Sequence, residues 1–135
     1  KAEAIINVRI LPGETKTKVL KRMRAVVNDP QVNVNFTNVD DASNPVDESE
    51  IRAIGFIKIK NAINKVYPEG IVSPFLVTAT TDSRHYKEIT DNIYRFVPMV
   101  LTGEDLAKIH GFNESISIEN YTLIVNFFTE LIKTV

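Results

Sequence analysis

The stretch Ala2-Glu3-Ala4-Ile5-Ile6-Asn7-Val8-Arg9-Ile10-Leu11-Pro12-Gly13 decides how the fold is read. Ala2, Ala4, Ile6, Val8 and Ile10 fall on one face and Glu3, Ile5, Asn7 and Arg9 on the other, the period-two pattern of a half-buried strand. Pro12-Gly13 ends it. From Thr15 to Asn28 the apolar positions Val19, Leu20, Met23, Val26 and Val27 recur at helical spacing, with Lys16, Lys18, Lys21, Arg22 and Arg24 between them. That basic side suits either solvent or an anionic or membrane surface. Asp29-Pro30 stops the helix, and Val32, Val34 and Phe36 then alternate with Asn33, Asn35 and Thr37. The expectation is a β-α-β unit whose last strand, Gln31 to Thr37, is an edge able to pair with a second subunit.

Asp40 to Asp47 has the composition of a loop and marks a boundary. Beyond it, Asp47 and Glu50 are spaced for a capping box, opening a helix that carries Ile51, Ile54, Phe56, Ile59, Ile63 and Val66 before Pro68-Glu69-Gly70 ends it. Gly55 inside that helix costs up to ~1 kcal/mol relative to Ala, which points to close packing. Ile71 to Thr78 reads as a strand buried on both faces, and Ile93 to Val100 as another, with Pro98 at an edge or at its end. Thr102-Gly103-Glu104-Asp105 starts a short helix leading to Ile109. Ser117 is the expected N-cap, with Glu119 in the first turn, of a final helix lined on one face by Tyr121, Ile124, Val125, Phe128, Leu131, Ile132 and Val135.

The chain has 135 residues, 44% hydrophobic and 24% charged, the balance of a globular protein. Sixteen Lys and Arg against 17 Asp and Glu leave a net charge of −1, without the basic stripe that neutralises phosphates, so nucleic acid is not an expected partner. Nor is a membrane, because no apolar run approaches the ~20 residues that span one. Lys1-Ala2-Glu3-Ala4 carries neither an initiating Met nor a signal block, so the N-terminus reads as a cut. The absence of cysteine removes disulfides and thiolate ligands and leaves the compartment open.

Chemistry is concentrated in three polar clusters: Thr81-Asp82-Ser83-Arg84, Ile93-Tyr94-Arg95-Phe96-Val97-Pro98 and Ile109-His110-Gly111-Phe112-Asn113-Glu114. A zinc centre needs three or four ligands, yet the chain has two histidines, His85 and His110, and no His-x-Asp or Glu-Glu pair. By pattern alone His110 suits either a loop-borne metal ligand or an ordinary surface histidine. Arg84 suits either bidentate binding of a substrate carboxylate or an ion pair with Asp82 or Glu114. Arg9 reads as a solvated arginine on a strand's polar face, and His85 as packing beside Tyr86.

In order and spacing the three clusters resemble the zinc metallopeptidases and amidohydrolases that include carboxypeptidase S, the N-acyl-amino-acid hydrolases, carnosinase, glutamate carboxypeptidase and succinyl-diaminopimelate desuccinylase, most of all the first two. The resemblance runs from about Glu3 to Lys133. It implies an α/β catalytic domain interrupted by an α+β lid, with residues 1–40 forming the second half of the lid, a partial ferredoxin-like β-α-β unit. Residues 41–135 would then be the C-terminal α/β portion of the catalytic domain.

The same resemblance makes His110 the last metal-binding histidine of a centre that holds two zinc ions in the complete enzyme. Arg84 and Arg9 become carboxylate-binding residues, and Asp82, Asn113 and Glu114 become residues that orient their neighbours. No catalytic group falls in this chain, since the general base and the other ligands belong to an earlier segment of the family. Glycines usual before the Thr-Asp-Ser-Arg loop are replaced by Ala79-Thr80. The implied substrate is a peptide or N-acyl amino acid, the implied assembly a homodimer through the lid, and the isolated chain is expected to be inactive with weak or absent zinc binding. The competing reading is a non-catalytic α+β self-association module.

Overall fold

The computed structural model describes every residue except Asp40, Asp41 and Thr80. The described residues form α1 (Lys16–Val27), α2 (Ile54–Val66), a 3₁₀ helix (Asp82–Glu88), α3 (Gly103–Lys108) and α4 (Ile118–Ile132). They divide into two units, Lys1–Ser49 with Leu76–Ile93 and Glu50–Phe75 with Tyr94–Val135.

In the first unit α1 begins and ends where the sequence places it. Thr15 caps it, its side chain accepting from the Lys18 N–H at 3.2 Å, which satisfies one of the donors a helix start leaves free. Asn28 closes the other end at φ 43°, its N–H donating to Arg24 O at 3.0 Å. The flanking segments run without forming strands. Ile6, on the face expected to be buried, is 66% exposed against 75% for Ile5 on the opposite face, so neither side of Ala2 to Leu11 is covered.

The β-α-β unit is therefore a correction: among the described residues no segment is in a strand, and neither the ferredoxin-like reading nor the edge strand at Gln31 to Thr37 holds. A strand's hydrogen bonds all go to a neighbouring strand, and alternation alone supplies no neighbour. Basic side chains of α1 satisfy part of the following segment instead. Lys16 Nζ donates to Ala42 O at 2.6 Å and lies 6.0 Å from the Phe36 ring centre, while its backbone N–H donates to Asn44 Oδ1 at 3.0 Å. Arg24 donates to Val34 O at 2.9 Å and to Asn35 Oδ1 at 2.7 Å. The basic side of α1 is thus partly a set of donors to its own chain.

The rest of this unit is held by Ser49, whose hydroxyl donates to Ile93 O at 2.9 Å and accepts from the Ile93 N–H at 2.7 Å. Lys87 pairs with Asp47 at 3.3 Å. The Asp47/Glu50 capping box does not form: Asp47 takes that ion pair and Glu50 accepts from the Arg52 N–H at 2.8 Å.

The second unit has the chain's core. α2 begins later than expected, at Ile54 after Ala53, and Ile51 precedes it. It packs on α4, with Ala62 and Phe127 each only 2% exposed. Burying a phenylalanine side chain contributes roughly 1.5–3 kcal/mol. The Phe127 ring lies 5.2 Å from those of Phe96 and Phe128, in tilted and edge-on geometries that aromatic rings favour.

Gly55 has the packing role its position suggested, since a Cβ there would stand 3.0 Å from the Tyr94 ring. That ring lies 5.8 Å from Phe56 and its hydroxyl donates to Glu50 O at 2.5 Å; burial raises the Tyr94 pKa. Lys65 and Lys133 both grip Glu130, at 2.9 and 2.5 Å.

α4 starts at Ser117 as expected, its hydroxyl accepting from the Asn120 N–H. Its inner face differs: Leu123, Ile124, Phe127 and Leu131 face inward, whereas Tyr121, Val125, Phe128, Ile132 and Val135 are exposed. Ile71 to Thr78 and Ile93 to Val100 are not strands either, and Ile71 and Phe75 are 95% and 89% exposed. Pro98 is buried rather than at an edge.

Candidate functional site

The residues singled out from the sequence fall in both units. His110, Asn113 and Glu114 sit on the connection between α3 and α4, in the second unit. Thr102 and Asp105 start α3 with a capping box, Asp105 Oδ2 accepting from the Thr102 N–H at 2.9 Å and its hydroxyl at 2.7 Å. Those bonds hold the Asp105 carboxyl below its ordinary pKa.

At the other end the chain turns sharply. The Gly111 N–H donates to Lys108 O at 2.8 Å, Ile109 has φ −57° and ψ 126°, and His110 has φ 63°. These are the features of a type II β-turn with His110 at its third position, where positive φ favours glycine or asparagine. A left-handed backbone costs a residue with a Cβ roughly 1–2 kcal/mol. Two contacts hold it: Glu114 Oε2 accepts from the His110 N–H at 3.2 Å, and the Glu114 N–H donates to Gly111 O at 3.3 Å. Glu114 therefore fastens the His110 backbone. Gly111 itself cannot be replaced freely, because a Cβ there would meet Lys108 O at 3.0 Å.

The His110 side chain is exposed, as is Asn113. Beside the turn lies a cleft of about 660 Å³ walled by Val100, Leu101, Ile109, Ile116 and Leu123, with Glu114 at its polar side. Neither the cleft nor the turn type was apparent from the sequence, although the helix stop after Lys108 was.

In the first unit Asp82 is the first residue of the 3₁₀ helix and Arg84 and His85 follow in it. Thr81-Asp82-Ser83-Arg84 thus lies at a helix start where a strand was expected to precede it, and Thr80 of the departing Ala79-Thr80 pair lies outside the described residues. Among the described residues Arg84 makes no ion pair with Asp82; its Nε donates to His85 Nε2 at 3.3 Å. His85 is thus Arg84's acceptor as well as Tyr86's neighbour. Arg84 and Asp82 are exposed, and so is Arg9 on the extended N-terminal segment.

Among the described residues no three of His, Cys, Asp or Glu gather as a metal-binding group. These residues do not constitute a zinc centre by themselves; the turn at 110 presents one imidazole. No helix of the described residues is long and apolar enough to cross a membrane.

Comparison with known proteins identifies relatives of the whole chain. The chain is 35% identical over 132 residues to "Probable carboxypeptidase S-like 2" of Dictyostelium discoideum, covering 98% of this chain and 25% of that protein. It is 39% identical over 132 residues to an N-fatty-acyl-amino acid synthase/hydrolase of Danio rerio, again 98% and 25%. With the protein of that name from Homo sapiens it shares 37% identity over 133 residues, 98% of this chain and 26% of the relative. No family model matches, and no solved structure matches. The chain spans about a quarter of the length of these relatives. Identity sustained along nearly the whole chain, with proteins of both names, means that it belongs to the peptidase family of the carboxypeptidase S-like proteins and the N-fatty-acyl-amino acid synthase/hydrolases.

Proposed function

We propose that the whole protein is a zinc-dependent hydrolase that cleaves a peptide or N-acyl-amino-acid amide bond next to a free carboxylate, and that His110 is one of its metal ligands. The names of the relatives support the hydrolase class. The observation that carries the role of His110 is its left-handed backbone, held where the turn would accept glycine more readily. Strained positions of this kind collect at functional sites.

Arg84 and Arg9 are proposed to bind the substrate carboxylate through the planar fork of the guanidinium. Asp82, Asn113 and Glu114 are proposed to orient their neighbours. In the whole enzyme two zinc ions would supply Lewis acidity and an activated water, with the remaining ligands and the general base outside this chain. The 135-residue chain alone is then inactive, and the lid reading of residues 1–40 carries with it assembly as a homodimer. The self-association module loses its main support with the missing edge strand.

The test uses the full-length protein with an N-acyl amino acid and with the same compound as its carboxamide. Hydrolysis of the first, little of the second, and loss of turnover in His110→Gly are expected. In the metal-stripped protein the same substitution relieves the turn and should raise stability by about 1 kcal/mol, seen as a higher melting temperature. Unchanged kcat/KM in His110→Gly, or turnover by the 135-residue chain alone, sinks the proposal.

A further inference from the structure

The connection that bears His110 is closed at its base by a single side chain. Asn120, in the first turn of α4, accepts the Val100 N–H on Oδ1 at 2.8 Å and donates from Nδ2 to Val100 O at 3.0 Å. In an extended segment the N–H and C=O of one residue point to the same side, and an antiparallel neighbour normally takes both. The carboxamide of Asn120 presents one acceptor and one donor and takes the neighbour's place. Its own backbone N–H is committed to Ser117 Oγ at 3.1 Å, so the side chain projects from a fixed helix start. Thr102, two residues beyond Val100, caps α3, and α3 runs directly into the turn at His110.

We propose that Asn120 is a positioning residue that sets the place of the His110 turn. The sequence from Val100 through the Thr102–Asp105 box, α3, the turn and the Glu114 contact is a series of short hydrogen-bonded links. The Asn120 pair is what ties both ends of that series to one point. The importance of the turn rests on the functional reading of His110, but the tie itself does not.

Amide exchange of the full-length protein, followed by mass spectrometry over residues 101–112 and over α2 as reference, tests this with Asn120→Ala and Asn120→Leu. Leucine keeps bulk and helix propensity but forms neither bond, so it remains informative if alanine fails to fold. Loss of two hydrogen bonds is expected to speed exchange over 101–112 by about tenfold or more in both variants, with α2 unchanged. The ring signal of His110 in spectra of nitrogen-15 histidine should shift in Asn120→Leu while that of His85 stays.

Wild-type protection over 101–112 in Asn120→Leu overturns the inference, and so does an equal acceleration of α2. Faster exchange confined to 101–112, in a protein whose turnover survives loss of His110, upholds the tie and removes the hydrolytic role of His110 instead.

Discussion

The unit built from residues 1–49 and 76–93 is poorer in apolar side chains, above all aromatic ones, than the unit built from residues 50–75 and 94–135, and the two use them differently. In the second, α2 and α4 bring Ala62 and Phe127 out of water. In the first, none of the described residues reaches that burial, and Ile5, Ile6 and Val39 are among many left open. Its long-range links are polar: Lys16 to the carbonyl of Ala42, Arg24 to that of Val34, Ser49 to Ile93. A helix completes its backbone hydrogen bonds within itself and needs a partner only for one face. A strand needs a partner for both its hydrogen bonds and its face, so the region rich in alternation is the one left without a core.

Phe127→Ala gives the largest expected separation of the two units. Truncation of a buried phenylalanine destabilises by about 3–5 kcal/mol, and amide exchange should accelerate throughout α2 and α4 while α1 keeps its protection. Equal acceleration of α1 would mean that the two regions share one cooperative core, against the contrast drawn between them.

A smaller effect is expected at Lys16, where Lys16→Met retains the stem but leaves the Ala42 carbonyl without this donor. The loss is about 1 kcal/mol, read as faster exchange or proteolysis in the residues after α1. No change there would show that the polar links of the first unit are incidental.

The smallest effect is expected with pH. Hydrogen bonds from Lys133 and Lys65 lower the Glu130 pKa from 4.5 to about 2. A carboxylate more acidic folded than unfolded stabilises the fold above the unfolded pKa. This contribution is complete above pH 4.5 and lost as the pH falls towards 2. Glu130→Gln should flatten that part of the stability curve of the second unit and leave the first unaffected.

Much of the local structure was legible because it is written in neighbouring residues. Thr15, Asn28, Thr102 and Ser117 mark helix ends through bonds spanning three or four positions, and each is where the sequence placed it. The expected box at Asp47 failed because other partners competed: Lys87 took the Asp47 carboxylate, and the Arg52 N–H took the Glu50 carboxylate. The family was legible through the three polar clusters, and the relatives bear that resemblance out. The turn at His110 was not, because the residue that takes positive φ beside a glycine is set by which backbone bonds close, here Gly111 N–H to Lys108 O and His110 N–H to Glu114.

The sequence by itself determined the existence of α1 to α4, the caps at Thr15, Thr102 and Ser117 and the family, since each depends on the order of residues along a short stretch or on the likeness of the whole chain to others. Tertiary structure alone decided that the alternating segments form no sheet, that Phe127 rather than Phe128 enters the core, and that Asn120 binds the backbone of Val100. Each of these depends on which distant groups meet, and periodicity records a residue's face without recording what lies opposite it.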